Sequence, residues 1–378
     1  MLKIVSDENI LFAREAFSSL GEVVLLPGRG INNRELLDAD ILLVRSVTNV
    51  NKDLLDNTNV KFVGTATIGR DHIDQEFLES KGVFFTDAAG CNADAVAEYV
   101  FTALFQIASE RQFNLGNKSI GIIGAGNIGS RVYKLASSVG MTVLKNDPPL
   151  KRLTHRNDYL ELDELMNCDI ITLHVPLNMD GIDKTFHFFD IKRQGKLKDG
   201  VILINASRGQ VIDNSALLSL LEKKNITAVL DVWENEPDID NELLKKTDIA
   251  TPHIAGYSYE GKVNGTIMLY NSLCNFLNKA AVWRPVLPEL NGNKIQIDNA
   301  DKTSILQNII PDIYKIKKDD EQLRGILELE RNEKGKFFDK LRKDYPLRRE
   351  FSNYSVLVKN SNEEIDRLLT SFRFNLID

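Results

Sequence analysis

A glycine motif near the middle of the chain constrains the fold more than any other feature. The motif reads Gly124-Ala125-Gly126-Asn127-Ile128-Gly129. It follows the apolar run Ile120 to Ile123 and precedes a helical pattern that continues to Val139. A glycine-rich turn from a buried strand into a helix is typical of parallel α/β sheets. The motif therefore predicts a doubly wound parallel sheet in the middle of the chain.

Short apolar runs alternate with helical patterns on both sides of this motif. The N-terminal runs are Leu2 to Val5, Val23 to Leu26, Ile41 to Val44, Phe62 to Gly64 and Val83 to Phe85. The later runs are Ile120 to Ile123, Thr142 to Leu144, Ile170 to Leu173, Val201 to Ile204 and Thr227 to Leu230. Because strands that alternate with helices form parallel sheets covered on both faces, each set predicts its own α/β domain.

The 378 residues are too many for a single core. A helical pattern over 93–110 leads from the first predicted domain into the second, and a return helix is predicted over 259–277. The predicted domains are 1–92 with 258–285, then 93–257, then a small C-terminal α+β domain over 286–378. Apolar runs over 305–316 and 354–358 favour burial of this last domain against a second copy of the chain.

The composition is that of a soluble globular protein, with 43% hydrophobic and 27% charged residues and a net charge of −7. The acidic balance argues against nucleic acid as a partner, since phosphate binding normally requires a basic excess. No apolar run approaches membrane-spanning length, so no membrane partner is expected. The scattered Cys91, Cys168 and Cys274 form no CxxC pair, which predicts a cytoplasmic protein with neither disulfide nor metal site.

The glycine motif lies in the context of a dinucleotide site. Asp147 follows the next predicted strand, where a carboxylate would bind the adenosine ribose and repel a 2′-phosphate. This favours NAD over NADP. The alternative is a simple turn with a solvated aspartate. His174 follows another strand, and we expect it to line the cofactor pocket without transferring protons.

Three further polar residues follow consecutive strands of the same predicted sheet. They are Arg208, Glu236 and His253. Arginine can bind a carboxylate through two parallel hydrogen bonds, and histidine backed by a carboxylate can transfer a proton near neutral pH. Taken singly, each residue could also have a purely structural role. Arg208 could form a surface salt bridge, Glu236 could be solvated, and His253 could be a hydrogen-bonded core residue. Because parallel strands end at one edge of a sheet, we expect the three side chains to meet there.

The segments around these residues resemble the D-isomer-specific 2-hydroxyacid dehydrogenases over residues 1 to about 280. The segments are NASRGQVIDNSALL (205–218), LDVWENEP (230–237) and TPHIAGYS (251–258). The resemblance implies a flavodoxin-like substrate domain, a Rossmann domain that binds NAD, and a C-terminal domain that forms a homodimer. It also implies that Arg208 orients the substrate and that His253, partnered by Glu236, donates and accepts the proton.

The resemblance extends to the ligand contacts. The residues implied to contact NAD are Gly124, Gly126, Asn127, Ile128, Gly129, Asp147, Val175, Ala206, Ser207, Asp231 and Gly256. The residues implied to contact the substrate, a small phosphorylated 2-hydroxy acid, are Ser46, Thr67 and Tyr257. Val175 departs from the threonine usual in the family, which removes one possible hydrogen bond worth about 1 kcal/mol.

Two alternatives stay open at this point. Another member of the family, acting on 3-phosphoglycerate or hydroxypyruvate, would share Arg208, Glu236 and His253. An NAD-responsive binding module on the same fold would tolerate the loss of these residues. The presence of all three favours an enzyme.

Overall fold

The computed structural model describes residues 1–298, 301–302, 304–346 and 348–377. The positions outside the described residues all belong to the predicted C-terminal domain: Asn299, Ala300, Thr303, Leu347 and Asp378. The chain divides into two compact units. Unit 1 comprises residues 1–92 and 258–289, and unit 2 comprises residues 93–257 and 290–378. The finer division into three domains stays a prediction.

Unit 1 contains one parallel sheet of five strands. The strands are β1 Lys3–Asp7, β2 Glu22–Leu26, β3 Ile41–Val44, β4 Phe62–Thr65 and β5 Phe84–Thr86. Their order, β2-β1-β3-β4-β5, is the flavodoxin order, so the predicted fold is confirmed. The helices are Ala13–Phe17, Asn33–Leu36, Lys52–Leu55, Gln75–Ser80 and Tyr259–Phe276. Strand β3 is buried along its whole length because helices cover both faces of the sheet.

Unit 2 contains a parallel sheet of six strands. They are β6 Ser119–Ile123, β7 Thr142–Asn146, β8 Ile170–Leu173, β9 Ile202–Asn205, β10 Thr227–Leu230 and β11 Ile249–Ala250. The order is β11-β10-β9-β8-β6-β7. An isolated parallel bridge pairs Lys145 of β7 with Tyr159, which adds a one-residue strand next to β7 at the edge of the sheet. With that position counted, the sheet has the Rossmann order, as predicted. The two-residue strand β11 is too short for a periodicity signal, and only the expected position of His253 after a strand indicates it.

Helices cover this second sheet. The helices up to residue 257 are Ala93–Glu110, Asn127–Val139, Pro148–Thr154, Leu162–Leu165, Ile191–Gly195, Asn214–Leu221 and Asn241–Lys246. The first of them has the bounds that the sequence predicts, and 14 of its 18 residues are buried. Among the described residues, no helix is long and apolar enough to cross a membrane.

The described residues of the C-terminal part of unit 2 form a small sheet and four α-helices. Its parallel strands are β12 Lys294–Ile297, β13 Ser355–Val358 and β14 Asn375–Leu376, in that order. Its helices are Ile305–Ile313, Ile316–Arg324, Arg331–Lys343 and Glu363–Ser371. Ile305, Ile309 and Ile310 are at most 1% exposed and belong to the same core as helix Ala93–Glu110. The argument that these apolar residues need a second copy is therefore wrong, because the chain buries them itself.

A buried charged cluster also joins helix Ala93–Glu110 to the C-terminal part. Glu98 accepts a hydrogen bond from the backbone N–H of Phe351 (3.0 Å), and Arg373 lies 2.9 Å from Glu350. Burial, followed by repulsion from Glu350, raises the pKa of Glu98 well above its usual value, although Arg348 and Arg373 oppose this shift. The C-terminal segment is therefore part of the packing of unit 2.

Candidate active site

The three motif glycines of the β6 turn have different surroundings. Gly124 has a φ of +87°, and a Cβ there would lie 2.5 Å from the carbonyl oxygen of His174. A Cβ at Gly129 would lie 2.0 Å from the carbonyl oxygen of Gly124. At Gly126, in contrast, no described atom lies within 4 Å of the Cβ position. The outer glycines thus allow the tight turn, and the middle one leaves the backbone open to a ligand.

The helix that follows the turn, Asn127–Val139, suits a pyrophosphate. Gly126 is its N-cap and provides no side-chain hydrogen bond to the first turn. Gly126 and Asn127 are exposed. Helix N-termini with open N–H groups and positive potential attract phosphate groups. The residues present therefore fit the pyrophosphate of a dinucleotide.

Asp147 lies beside this turn, immediately after β7. One carboxylate oxygen accepts the backbone N–H of Ala125 (2.8 Å), and the other accepts that of Leu150 (2.9 Å). These two bonds hold the carboxylate at the glycine turn. A solvated aspartate, the alternative considered above, would have a mobile side chain without such bonds. This is the position from which a carboxylate binds ribose hydroxyls and repels a 2′-phosphate.

His174 is buried at the end of β8. Its Nε2 lies 2.9 Å from the hydroxyl of Thr172. Burial lowers the pKa of His174 to about 3, so the ring is neutral at physiological pH. A ring that stays neutral is unsuited to proton transfer, and the place of His174 in the cofactor pocket stays a prediction. The cofactor contact expected of the neighbouring Val175 stays a prediction.

The loop after β9 positions Arg208. The Asn205 side-chain oxygen accepts hydrogen bonds from the backbone N–H (3.1 Å) and hydroxyl (2.8 Å) of Ser207. The Asn205 side-chain N–H donates to the carbonyl of Arg208 (2.9 Å). A Cβ at Gly209 would lie 2.0 Å from the carbonyl carbon of Trp233, so only glycine permits this approach. The Arg208 loop therefore packs directly on the loop that carries Glu236.

His253 and Glu236 form the predicted pair. Nδ1 of His253 lies 2.7 Å from one oxygen of Glu236, and the other oxygen accepts the backbone N–H of Trp233 (2.9 Å). Burial raises the pKa of Glu236, but His253, the Trp233 N–H and Arg342 outweigh burial and hold the pKa below its usual value. Glu236 is therefore ionised near neutral pH and can accept a hydrogen bond from the imidazole N–H.

Asp231, at the end of β10, holds the histidine loop. Its carboxylate accepts the backbone N–H groups of Ile254 (2.8 Å) and Ala255 (2.9 Å) and the hydroxyl of Thr251 (2.6 Å). Its carbonyl accepts the N–H of His253 (2.7 Å). His253 has a φ of +57°, a strained conformation for a non-glycine residue. The NAD contact expected of Asp231 stays a prediction, and its visible role is to position the loop that carries His253.

The remaining predicted residues lie in different places. Gly256 and Tyr257 continue the histidine loop, and Ala206 lies in the Arg208 loop. Ser46 is exposed after β3 in unit 1. Thr67, also in unit 1, shares a hydrogen bond with Thr65 (2.8 Å), which in turn bonds to His72 (2.9 Å). The substrate contacts of Ser46 and Thr67 stay predictions.

Two features of unit 2 escape sequence reasoning. The first is a second histidine–carboxylate pair, in which Nε2 of His187 is hydrogen-bonded to Glu234. The second is a set of contacts from the C-terminal segment, where Arg348 donates to the carbonyl of Ala255 (2.7 Å) and Arg342 to the hydroxyl of Tyr257 (3.2 Å). Neither carries a local sequence signal, because the partners lie 47 to 93 residues apart.

The open position at Gly126 gives a direct test of the cofactor site. Gly126→Ala should leave the apparent melting temperature without NAD within about 2 °C, because its methyl group meets no described protein atom. It should raise the Kd for NAD at least about tenfold, because the methyl group fills space that a pyrophosphate needs. Titration calorimetry measures the Kd. Gly195→Ala, also without a described neighbour within 4 Å, is the control. Unchanged NAD binding in Gly126→Ala would contradict the placement of the cofactor.

Comparison with known proteins gives a consistent assignment. The sequence model of the D-isomer specific 2-hydroxyacid dehydrogenase NAD binding domain matches residues 97–255. A domain of unknown function, DUF3410, matches residues 286–371. Erythronate-4-phosphate dehydrogenase of Tolumonas auensis is 44% identical over 371 residues, which are 97% of this chain and 98% of that protein. Erythronate-4-phosphate dehydrogenase of Proteus mirabilis is 44% identical over 99% of both chains.

Solved structures show the same fold over a smaller part of the chain. D-lactate dehydrogenase from Aquifex aeolicus, in complex with NAD and lactic acid, has a TM-score of 0.60 and 26% identity. The similarity covers 73% of this chain and 95% of that one. NAD⁺-bound 3-phosphoglycerate dehydrogenase of Entamoeba histolytica has a TM-score of 0.63 and 25% identity over the same shares.

Proposed function

Since the chain belongs to the erythronate-4-phosphate dehydrogenases, among the D-isomer specific 2-hydroxyacid dehydrogenases, we propose that it oxidises 4-phospho-D-erythronate with NAD. The product is 3-hydroxy-2-oxo-4-phosphooxybutanoate, and the reaction belongs to pyridoxal phosphate biosynthesis. The observation that carries the proposal is the His253–Glu236 pair, which lies in one unit with Arg208 and the glycine turn. The identity with the relatives extends over the full length, including the C-terminal segment.

The chemistry divides among three side chains. Nδ1 of His253 is held by Glu236, so Nε2 is the nitrogen that takes the proton of the substrate 2-hydroxyl. Glu236, ionised, stabilises the imidazolium that forms. Arg208 binds the substrate carboxylate and polarises the C2 oxygen, which combines orientation with electrostatic stabilisation. NAD, held at the glycine turn and beside Asp147, would supply the hydride acceptor for C2.

The choice of substrate is the part that needs a direct test. We expect 4-phosphoerythronate to be oxidised at least about 100-fold more efficiently than erythronate, because erythronate lacks the charged phosphate that the site would bind. Steady-state kcat/KM with NAD for both compounds measures this. Including 3-phosphoglycerate in the panel tests the alternative substrate within the family. Equal efficiency for erythronate and its phosphate would indicate a general 2-hydroxyacid dehydrogenase.

Glu234 and Glu236, the two glutamates of the acidic loop after β10, provide a matched pair of variants. In the reduction of the 2-oxo acid, His253 must start protonated, and Glu236 favours that form. Glu236→Gln should therefore lower kcat/KM by about 100-fold or more and move its alkaline limb to lower pH. Glu234→Gln removes the same charge two residues away, where it faces His187. Glu234→Gln should leave the alkaline limb of kcat/KM at the pH seen for the unaltered enzyme. If chemistry limits the rate and the pH profile of Glu236→Gln matches that of the unaltered enzyme, Glu236 has only a structural role.

We also propose a cytoplasmic homodimer formed through the C-terminal domain. The family resemblance supports the dimer, and the small sheet offers a surface for it because β14, at its edge, is exposed along both residues, including the apolar Leu376. Light scattering of the full chain should give twice the 42.6 kDa of one copy at micromolar concentration. Leu376→Lys should shift the mass toward one copy without lowering the melting temperature. A monomeric unaltered protein would refute the dimer.

A further inference from the structure

The C-terminal segment contacts the catalytic loop at several points within one chain. Arg348 donates hydrogen bonds to the carbonyls of Ala255 (2.7 Å) and Tyr257 (3.3 Å). Arg342 donates to the hydroxyl of Tyr257 (3.2 Å), and its guanidinium carbon lies 5.7 Å from the centre of the same ring. The ring of Tyr345 packs edge-on against Tyr257, with the centroids 6.1 Å apart. Tyr257, four residues after His253, is therefore surrounded by side chains of the C-terminal segment.

Arg342 and Arg348 have different charged neighbours. In the described part of the chain neither arginine forms a salt bridge, and each has one buried nitrogen without a hydrogen-bond partner, Nε of Arg342 and Nη1 of Arg348. Glu98 and Glu350 act on the charge of Arg348, whereas the charge of Arg342 acts on Glu236, whose pKa it helps to lower. A half-buried guanidinium without a carboxylate partner is costly unless an anion binds there. The arginine lies beside the one loop that carries both His253 and Tyr257.

Resting on the proposed function, we propose that Arg342 binds the phosphate of the substrate together with Tyr257 and so determines specificity. The hydroxyl of Tyr257 already accepts a hydrogen bond from Arg342, so a phosphate that reaches this hydroxyl also reaches the guanidinium. Arginine binds phosphate through two parallel N–H bonds, and the side chain of Arg342 is half-buried, so part of it is accessible to a ligand. The C-terminal domain then contributes a residue to the active site of its own chain.

The test compares two substrates in two variants. Arg342→Met keeps the aliphatic stem and removes the charge. It should lower kcat/KM for 4-phosphoerythronate by about 100-fold while changing that for erythronate less than about threefold, because only the phosphate contact is lost. Lys340→Met removes an exposed charge from the same helix, Arg331–Lys343, and should change neither value. The Kd of 4-phosphoerythronate for the enzyme–NADH complex, which cannot turn over, should rise by the same factor in Arg342→Met alone.

The outcomes separate this inference from the proposed function. A preference for the phosphorylated substrate that survives Arg342→Met would overturn the role of Arg342 and leave the proposed function standing. An equal loss with both substrates would also overturn it, since Arg342 would then only position the loop. No preference in the unaltered enzyme would refute the proposed substrate, and the inference with it. If Arg342→Met melts several degrees lower, Arg342→Lys replaces it, with an expected loss of about tenfold for the phosphorylated substrate only.

Discussion

The candidate site of unit 2 depends on one buried carboxylate. Asp231, 1% exposed, binds two backbone N–H groups and one hydroxyl of the loop over 251–255. Through Thr251 it is linked to Tyr99 of helix Ala93–Glu110. Burial raises the pKa of Asp231, although His253, Thr251 and the backbone N–H groups oppose this shift. The hydrogen bonds hold His253 at a positive φ, a conformation that costs about 1–3 kcal/mol and would otherwise relax.

Because the loop over 251–255 is held in place, the two glutamates of the loop after β10 bind different histidines. Glu234 is bonded to His187, whereas Glu236 is bonded to His253. The Trp233 ring N–H donates to the carbonyl of Thr251 (3.0 Å), so the two loops are tied to each other. Gly209 then permits the Arg208 loop to approach this assembly at backbone distance. Three loops from consecutive strands thus become one rigid constellation, which suits a reaction that needs fixed positions for substrate and proton.

The C-terminal segment extends this constellation. Its first helix, Ile305–Ile313, packs in the core shared with helix Ala93–Glu110, and the ion cluster around Glu98 adds a polar connection. The packing brings the chain back to the histidine loop, where Arg342 and Arg348 bind it. Residues 286–371, which match a domain of unknown function, therefore include side chains that support the catalytic loop.

The sequence alone determined the two sheets and the glycine turn, and it predicted that Arg208, Glu236 and His253 lie at one edge of the second sheet. Apolar periodicity and a strand–glycine–helix junction are local properties, so both could be read along the chain. Only the tertiary structure shows that the neighbouring Glu234 is bonded to a second histidine, His187, because these two residues lie 47 positions apart in the chain. It also decided that Ile305, Ile309 and Ile310 are buried within the chain and that Arg342 lies beside Tyr257. These outcomes depend on contacts between distant segments, and the packing of the folded chain, not the local sequence, determines them.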